Sequence, residues 1–134
     1  MKNDYANITK ILTHLDSVIR KYVTKNCYAG TLPATLSDDV KSYVVIDCAN
    51  SVNDFNAYSR GVVNIFLYAQ PIGNGAMNVA ALSKLEKAFT EALNADRFDS
   101  EHYTVYRELV YSNEDYDSTY NMHFIVKAIR LTIY

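Results

Sequence analysis

The last stretch of the chain, residues 120–134 (YNMHFIVKAIRLTIY), constrains the fold more than any other. It contains no Gly or Pro and is rich in β-branched and aromatic residues, the composition of a long β-strand. Alternate positions on one side hold four aliphatic residues, Ile125, Ile129, Leu131 and Ile133, and this side also carries His123 and Lys127. The other side mixes apolar and polar residues. The pattern predicts a strand inside the sheet, with one face buried and the other half covered.

The bulk properties are those of an ordinary globular chain. At 134 residues, a single domain over 1–134 is expected, with enough chain to bury a sizeable core. The net charge of −2 shows no excess of basic residues, which a nucleic-acid-binding domain usually has. No run reaches the ~18 apolar residues of a membrane span. We therefore expect neither nucleic acid nor a membrane as a direct partner.

The two cysteines, Cys27 and Cys48, lie far apart in the sequence. The N-terminal sequence MKNDYANITKILTHL is polar and lacks the apolar segment of a signal peptide. Nothing else suggests an oxidising compartment, so the cysteines are predicted to be reduced thiols in a cytosolic setting, with a disulfide as the minor alternative.

Two segments have the spacing of amphipathic helices. In residues 4–24, apolar side chains recur at the i, i+3, i+4, i+7 spacing from Ile8 to Val23. A second apolar stripe runs from Val79 to Leu93, within residues 78–94. Each stripe predicts a helix that buries one face and leaves the other in water.

Strand patterns occur in four segments, residues 43–49, 60–69, 102–112 and 120–134. The connectors predicted between the elements include residues 26–42, residues 50–59 and the acidic turn 113–118. The order helix, strand, strand, helix, strand, strand indicates the α+β class. We expect a four-stranded, largely antiparallel sheet with two helices packed on one face and a long C-terminal β-hairpin.

Residue types used in catalysis and metal binding are present, but not in recognisable arrangements. The three histidines, His14, His102 and His123, show no ligand spacing with one another or with the cysteines. No nucleophile motif of the G-x-S-x-G kind occurs. Residues 73–75, Gly-Asn-Gly, precede a helix and would suit an anion, although a plain turn is their commoner use. We expect no catalytic, cofactor-binding or metal-binding residues, and no cofactor.

Tyrosine is the unusual component, because the chain has twelve tyrosines and no tryptophan. Its apolar body and polar tip suit a surface that is covered only in an assembly. Many tyrosines lie on the terminal hairpin, which is too long for one helix layer to cover, although strand propensity and core packing also explain them. The protein–protein interface predicted from them consists of Tyr103, Tyr106, Tyr111, Tyr116 and Tyr120. The acidic turn is either solvated or meets a basic partner.

The order of these parts resembles a known family. An amphipathic helix is followed by a loop with a proline, the strand YVVIDCA, a polar loop, the strand GVVNIFLYAQ, a second helix and a hairpin ending in FIVKAIRLTIY. This order is similar to that of the tail terminator, or tail-completion (head–tail joining), proteins of long-tailed phages, often encoded in prophages. The resemblance covers most of the chain and rests on element order, length and strand character. The compact turn QPIGNGAMN departs from it, because a longer insertion is expected there in ring-forming relatives.

The resemblance implies a non-enzymatic structural subunit. In that family a small α+β subunit forms a hexameric ring that caps the tail tube, stops its growth and presents a surface to the head connector. The partners would be further copies of the chain, the tail tube and the head connector, first in the host cytoplasm during assembly and then in the virion tail. The alternative is a small α+β ligand-binding or enzyme domain with a pocket between helices and sheet, lined by Cys48, His123 and an acid.

Overall fold

The computed structural model describes residues 8–37, 39–48, 53–54, 59–94 and 105–133. Its α-helices are α1 (Ile8–Tyr22) and α2 (Val79–Asn94), and Gly73–Gly75 form a single turn of 3-10 helix before α2. Its strands are β1 (Cys27–Ala29), β2 (Ser42–Cys48), β3 (Asn53–Asp54), β4 (Ser59–Ala69), β5 (Val105–Asp117) and β6 (Met122–Ile133). Predictions that fall on residues 1–7, 38, 49–52, 55–58, 95–104 and 134 lie outside the described part. Neither described helix is long and apolar enough to span a membrane.

The strands form one mixed sheet in the order β1-β2-β4-β6-β5, and the two-residue β3 pairs with the start of β4. β1 is parallel to β2, and the other pairings are antiparallel. The α+β class is confirmed and the four predicted strands are present, but the sheet also contains the short strands β1 and β3, which were not predicted. β1 falls in the predicted connector 26–42, because three residues are too few to show a periodicity. The Val44 amide donates to the Asn26 carbonyl at 2.9 Å, and the Gly30 amide to the Ile46 carbonyl at 2.8 Å.

The final strand, β6, lies inside the sheet between β4 and β5, as its composition predicts. It pairs with β4 along the whole length of β4, and with β5 on its other side. Three of its aliphatic residues, Ile125, Ile129 and Leu131, are buried in the main core. Lys127 on the same face is also buried, and its ammonium group pairs with Glu86 of α2.

Both helices pack on one face of the sheet, as expected. The main core lies between these two layers and takes apolar side chains from both helices and from the facing side of each central strand. Its most completely buried members include Ile19, Ile46, Leu67, Leu82 and Phe89. Burying each such side chain contributes about 1.5–3 kcal/mol, so this layer supplies most of the hydrophobic stabilisation.

The opposite, helix-free face is covered in part by the connector between β1 and β2. A second apolar cluster forms there from Leu32, Tyr43, Val45, Tyr68 and Met122. Leu36 and Val40 of the connector pack against this cluster. The connector therefore closes one end of the face, next to the turn of the terminal hairpin.

β5 and β6 form a long antiparallel hairpin, as predicted, but the position of its turn differs. β5 continues to Asp117, so most of the segment predicted as an acidic turn is strand, and the turn occupies residues 118–121. Asn121 takes the left-handed conformation that closes the turn (φ 53°). Acidic residues are tolerated here because β5 is an edge strand, on which Glu114 and Asp115 remain exposed to water.

A β-bulge between Leu109 and Tyr111 changes which side chains of β5 share a face. Simple alternation places these two residues together, on the face opposite Tyr106. The bulge shifts the register by one residue, so that Tyr111 lies opposite Ala128 and shares the helix-free face with Tyr106. Alternation alone therefore assigns Tyr111 to the wrong face.

Candidate assembly interface

β5 is the outermost strand of the sheet, and β6 is its only strand partner within the described residues. Its 13 residues present a row of main-chain N–H and C=O groups on the outer side. Long exposed edges of this kind pair readily with another chain, and natural proteins shorten, charge or cover them. An edge of this length is the natural place for a protein partner.

The side chains of β5 add an apolar surface to this edge. Five of its large hydrophobic residues are exposed: Tyr106 (63%), Tyr111 (51%), Leu109 (47%), Tyr116 (45%) and Val110 (42%). Single exposed apolar residues are ordinary, but a contiguous set on one strand marks an interaction surface. Sequence analysis named only the tyrosines, because an aliphatic residue in a strand is first assigned to the core.

The exposed residues of β5 point to both sides of the sheet. Tyr106 and Tyr111 lie on the helix-free face, opposite Thr132 and Ala128 of β6. Leu109 lies on the helix-bearing face, opposite Ile129. A partner that covered only one face would leave half of this apolar surface in water, so a partner at the edge fits better.

The end of the hairpin is ordered by a polar cluster around Tyr116. The Tyr116 hydroxyl donates to the side-chain oxygen of Asn121 at 2.9 Å. The Tyr116 ring meets the His123 ring edge-on, with 4.9 Å between the ring centres. His123 Nδ1 lies 2.9 Å from a carboxylate oxygen of Glu114. These contacts make the hairpin end a preformed surface.

Asp117 fastens the hairpin turn to the sheet. One of its carboxylate oxygens accepts the amide N–H groups of Thr119 (2.9 Å) and Tyr120 (3.3 Å). The other accepts the Tyr68 hydroxyl at 3.2 Å. Burial and the adjacent Asp117 carboxylate both raise the pKa of Tyr68, so its hydroxyl keeps its proton and remains a donor.

The five tyrosines predicted as interface residues occupy different positions. Tyr106, Tyr111 and Tyr116 are exposed on the edge strand. Tyr120 is half-buried against the second apolar cluster, and its hydroxyl donates to the Leu32 carbonyl at 3.2 Å, so it has a role within the fold. Tyr103 lies outside the described residues.

The opposite edge of the sheet, formed by β1, is only three residues long and is shielded by Arg20 of α1. The Arg20 guanidinium donates to the carbonyl groups of Cys27 (2.6 Å) and Lys25 (2.9 Å), and pairs with Asp16 at 2.9 Å. Sequence reasoning missed this role, because Arg20 has the spacing of an ordinary solvated helix charge. The two edges of the sheet therefore differ in length, polarity and shielding.

A shallow groove of about 430 Å³ runs between α1 and β1. Its lining combines apolar side chains of Leu12 and Tyr28 with polar ones of Thr13 and Asp16. Cys27 also lines the groove, and its burial, followed by the effect of Asp16, raises the pKa of its thiol to about 12. Cys27 is therefore a poor nucleophile at neutral pH, because only the thiolate reacts.

The residues considered for an enzyme or ligand pocket do not come together. Cys48 lies opposite Val63 and His123 lies opposite Ala69, which separates them by six residues, or about 20 Å, along β4. Burial also raises the pKa of the Cys48 thiol. Both cysteines are free thiols. In the part of the chain that the structure describes, no three His, Cys, Asp or Glu residues are grouped to hold a metal ion.

No protein-family model matches the sequence, and a comparison with curated proteins found no match. Among solved structures, the fold is similar to a chain in a structure titled "Virion of native gene transfer agent (GTA) particle". The TM-score is 0.58 and the sequence identity is 18%, with 92% of this chain and 90% of that chain covered. The similarity spans nearly the whole of both chains and establishes a shared fold.

Proposed function

We propose that the protein is a non-enzymatic structural subunit of a phage tail. Copies of the chain close into a ring that caps the tail tube and joins it to the head. The subunit assembles in the host cytoplasm and remains in the tail of the virion. Its partners are further copies of itself, the tail-tube subunit and the head connector protein.

The edge strand β5, which pairs on one side only within the described residues, is the observation that supports this proposal. Its outer side presents a row of main-chain N–H and C=O groups together with five exposed apolar side chains. Such a surface is typical of a protein interface and unusual for a strand that stays in water. The shared fold supports the same conclusion, since the similar chain belongs to the virion of a gene transfer agent particle. The order of the main helices and strands is the one on which the resemblance to tail terminator proteins rests.

A ring is favoured because the two edges of the sheet are unlike. A two-fold dimer joins the same patch on both copies, whereas a head-to-tail contact joins two different patches and closes into a ring when the rotation fits. The long apolar edge at β5 and the short, Arg20-shielded edge at β1 lie at opposite ends of the sheet. One copy therefore offers two unlike surfaces that face in different directions.

Native mass spectrometry over a concentration series, with negative-stain imaging of large species, tests the proposal. We expect closed hexamers, either for the chain alone or after mixing with the tail-tube subunit of the same phage. A discrete dimer at every concentration that does not bind the tube would contradict it. A monomer that forms no ring on the tube would contradict it as well, and the groove between α1 and β1 would then be the first surface for a ligand screen.

A further inference from the structure

We propose that each copy binds the next through charge, with the acidic end of the β5 edge set against a basic corner where α1 leads into β1. This inference rests on the proposed ring and names the two surfaces that meet in it. The occupant of each surface is a second copy of the same chain. Three observations support it. The two surfaces have opposite charges, they are far apart within one copy, and they lie at the same end of the sheet.

The end of β5 is strongly acidic. From residue 108 to residue 117 it has no Lys or Arg and four carboxylates: Glu108, Glu114, Asp115 and Asp117. Glu108 is paired with Arg130 and Glu114 with His123, whereas Asp117 accepts a hydrogen bond that closes the turn. Asp115 is exposed, and the contact found for it in the described part of the chain is with the adjacent Tyr116 amide at 2.7 Å. Asp115 is therefore the carboxylate best placed to meet a cation of another copy.

The corner between α1 and β1 is basic. Lys21 in the last turn of α1 and Lys25 just before β1 are both exposed. The carboxylate of Asp16 in α1 is already neutralised by Arg20. Asp39, in the described part of the connector, belongs to the segment that packs on the helix-free face. The two lysines thus give this corner a net positive charge.

Within one copy the two patches cannot neutralise each other. β1 and β5 are the first and last strands of a five-strand row. Strands lie about 4.8 Å apart, so the patches are separated by about 19 Å. That separation exceeds the Debye length of about 8 Å at physiological salt. The opposite charges remain available for contacts between copies.

The pairing of the strands shows at which end of the sheet each patch lies. One row of paired residues crosses the whole sheet, from Cys27 through Val44, Leu67 and Ile125 to Glu114. The groove beside β1 and the acidic end of β5 therefore lie towards the same end of the sheet.

The basic corner lies at the same end of the sheet. Lys25 immediately precedes Asn26, whose carbonyl accepts the Val44 amide at 2.9 Å, so it lies at the end of the sheet where β2 begins and β5 ends. In a ring whose axis runs roughly along the strands, the same end of each sheet faces the same way, so the acidic end of β5 in one copy lies beside the basic corner of the next.

A charge-swap experiment on the full chain tests this contact. Asp115→Lys sets a lysine against Lys25 of the next copy, and Lys25→Glu sets a glutamate against Asp115, so each variant alone should assemble at least about tenfold more weakly than the unmodified chain, because like charges then face each other. Mixed in equal amounts, the two variants should restore rings with alternating subunits. This rescue also shows that both variants are folded.

Two matched controls change the same charges on the outer face of α2. Lys84→Glu and Glu91→Lys are at exposed positions of α2, outside both the acidic end of β5 and the basic corner, and should leave assembly unchanged. Assembly is followed by native mass spectrometry, with the tail-tube subunit added if the chain alone stays monomeric.

The outcomes separate the two proposals. If the unmodified chain forms rings and both single variants form them equally well, the charged contact is wrong and the ring stands. If single variants are impaired but their mixture is not rescued, the two residues do not face each other and the contact is again wrong. If the unmodified chain forms no ring, alone or with the tube, the proposed function and this inference both fail.

Discussion

The Tyr68 hydroxyl donates a hydrogen bond to the Asp117 carboxylate, and this contact ties the end of β4 to the turn of the hairpin across the intervening strand β6. Asp117 also accepts the amides of Thr119 and Tyr120. One side chain thus closes the turn and anchors it to the sheet. The shape of the acidic hairpin end depends on this anchor.

Asp117→Ala should therefore destabilise the fold more than Tyr68→Phe. The first removes an acceptor of three hydrogen bonds and should cost about 1–3 kcal/mol, whereas the second removes one donor and should cost about 0.5–1.5 kcal/mol. Urea unfolding followed by circular dichroism measures both. Asp117→Asn, which keeps an acceptor oxygen, is the control and should fall between them. Equal stability of Asp117→Ala and the unmodified chain would show that the turn does not need this anchor.

The ion pair between Lys127 of β6 and Glu86 of α2 gives a second prediction. Lys127 is buried whereas more than a third of the Glu86 side chain is exposed, at 37%. Glu86→Ala leaves a buried cation without its partner and should cost about 1–3 kcal/mol, less than a fully buried pair because water still reaches the site. Lys127→Met removes the charge and keeps the volume, so its cost should be below about 1 kcal/mol. Urea unfolding would contradict this account if Lys127→Met proved the more harmful change.

Much of the fold follows from side-chain periodicity. The final strand was placed correctly because its composition satisfies both strand propensity and burial over a long segment. The two helices were placed on one face because each carries one apolar stripe, from Ile11 to Ile19 in α1 and from Leu82 to Ala92 in α2. Elements of this length contain enough turns or alternations for the pattern to be clear.

The differences arise where tertiary contacts decide the local structure. β1 has three residues and is held by its hydrogen bonds to β2 and by Arg20, none of which leaves a pattern in the sequence. The bulge next to Leu109 depends on pairing with β6 and moves Tyr111 to the other face. The acidic residues after Asn113 have the composition of a turn, because the side chains of an edge strand are exposed to water and are often charged, as those of a loop are. The candidate interface was therefore found from its tyrosines, but its geometry was not.

The buried thiol of Cys27 predicts a specific dependence of stability on pH. Its pKa is about 12 in the folded state against 9.0 when unperturbed, so above pH 9 the unfolded chain loses this proton while the folded chain keeps it. The stabilising contribution is complete below pH 9 and declines as pH rises towards 12, by at most about 1.4 kcal/mol per pH unit. The free energy of unfolding of the unmodified chain and of Cys27→Ala should therefore converge by about 1–2 kcal/mol between pH 7.5 and pH 10.5.

The half-buried Cys48 is the control for that experiment. Burial raises the pKa of its thiol as well, so Cys48→Ala should show convergence in the same direction. The effect should be smaller, because water reaches this side chain more readily. A difference between Cys27→Ala and the unmodified chain that stayed constant over this pH range would show that Cys27 ionises as easily in the folded state as in the unfolded state.

The exposed tyrosines of β5 should contribute more to assembly than to the stability of one copy. Tyr106→Ser combined with Tyr111→Ser removes two exposed rings from an edge strand, so the free energy of unfolding should change by no more than about 1 kcal/mol per site, the range of strand propensity. Ring formation should weaken at least about tenfold, since buried tyrosines are frequent hot spots of interfaces. Val79→Ser on α2, as exposed as Tyr106, is the matched control and should assemble normally. Tyr120→Phe should do the opposite of the double variant, with lower stability and intact rings, because its hydroxyl bonds the Leu32 carbonyl. A double serine variant that formed rings as well as the control would remove these tyrosines from the interface.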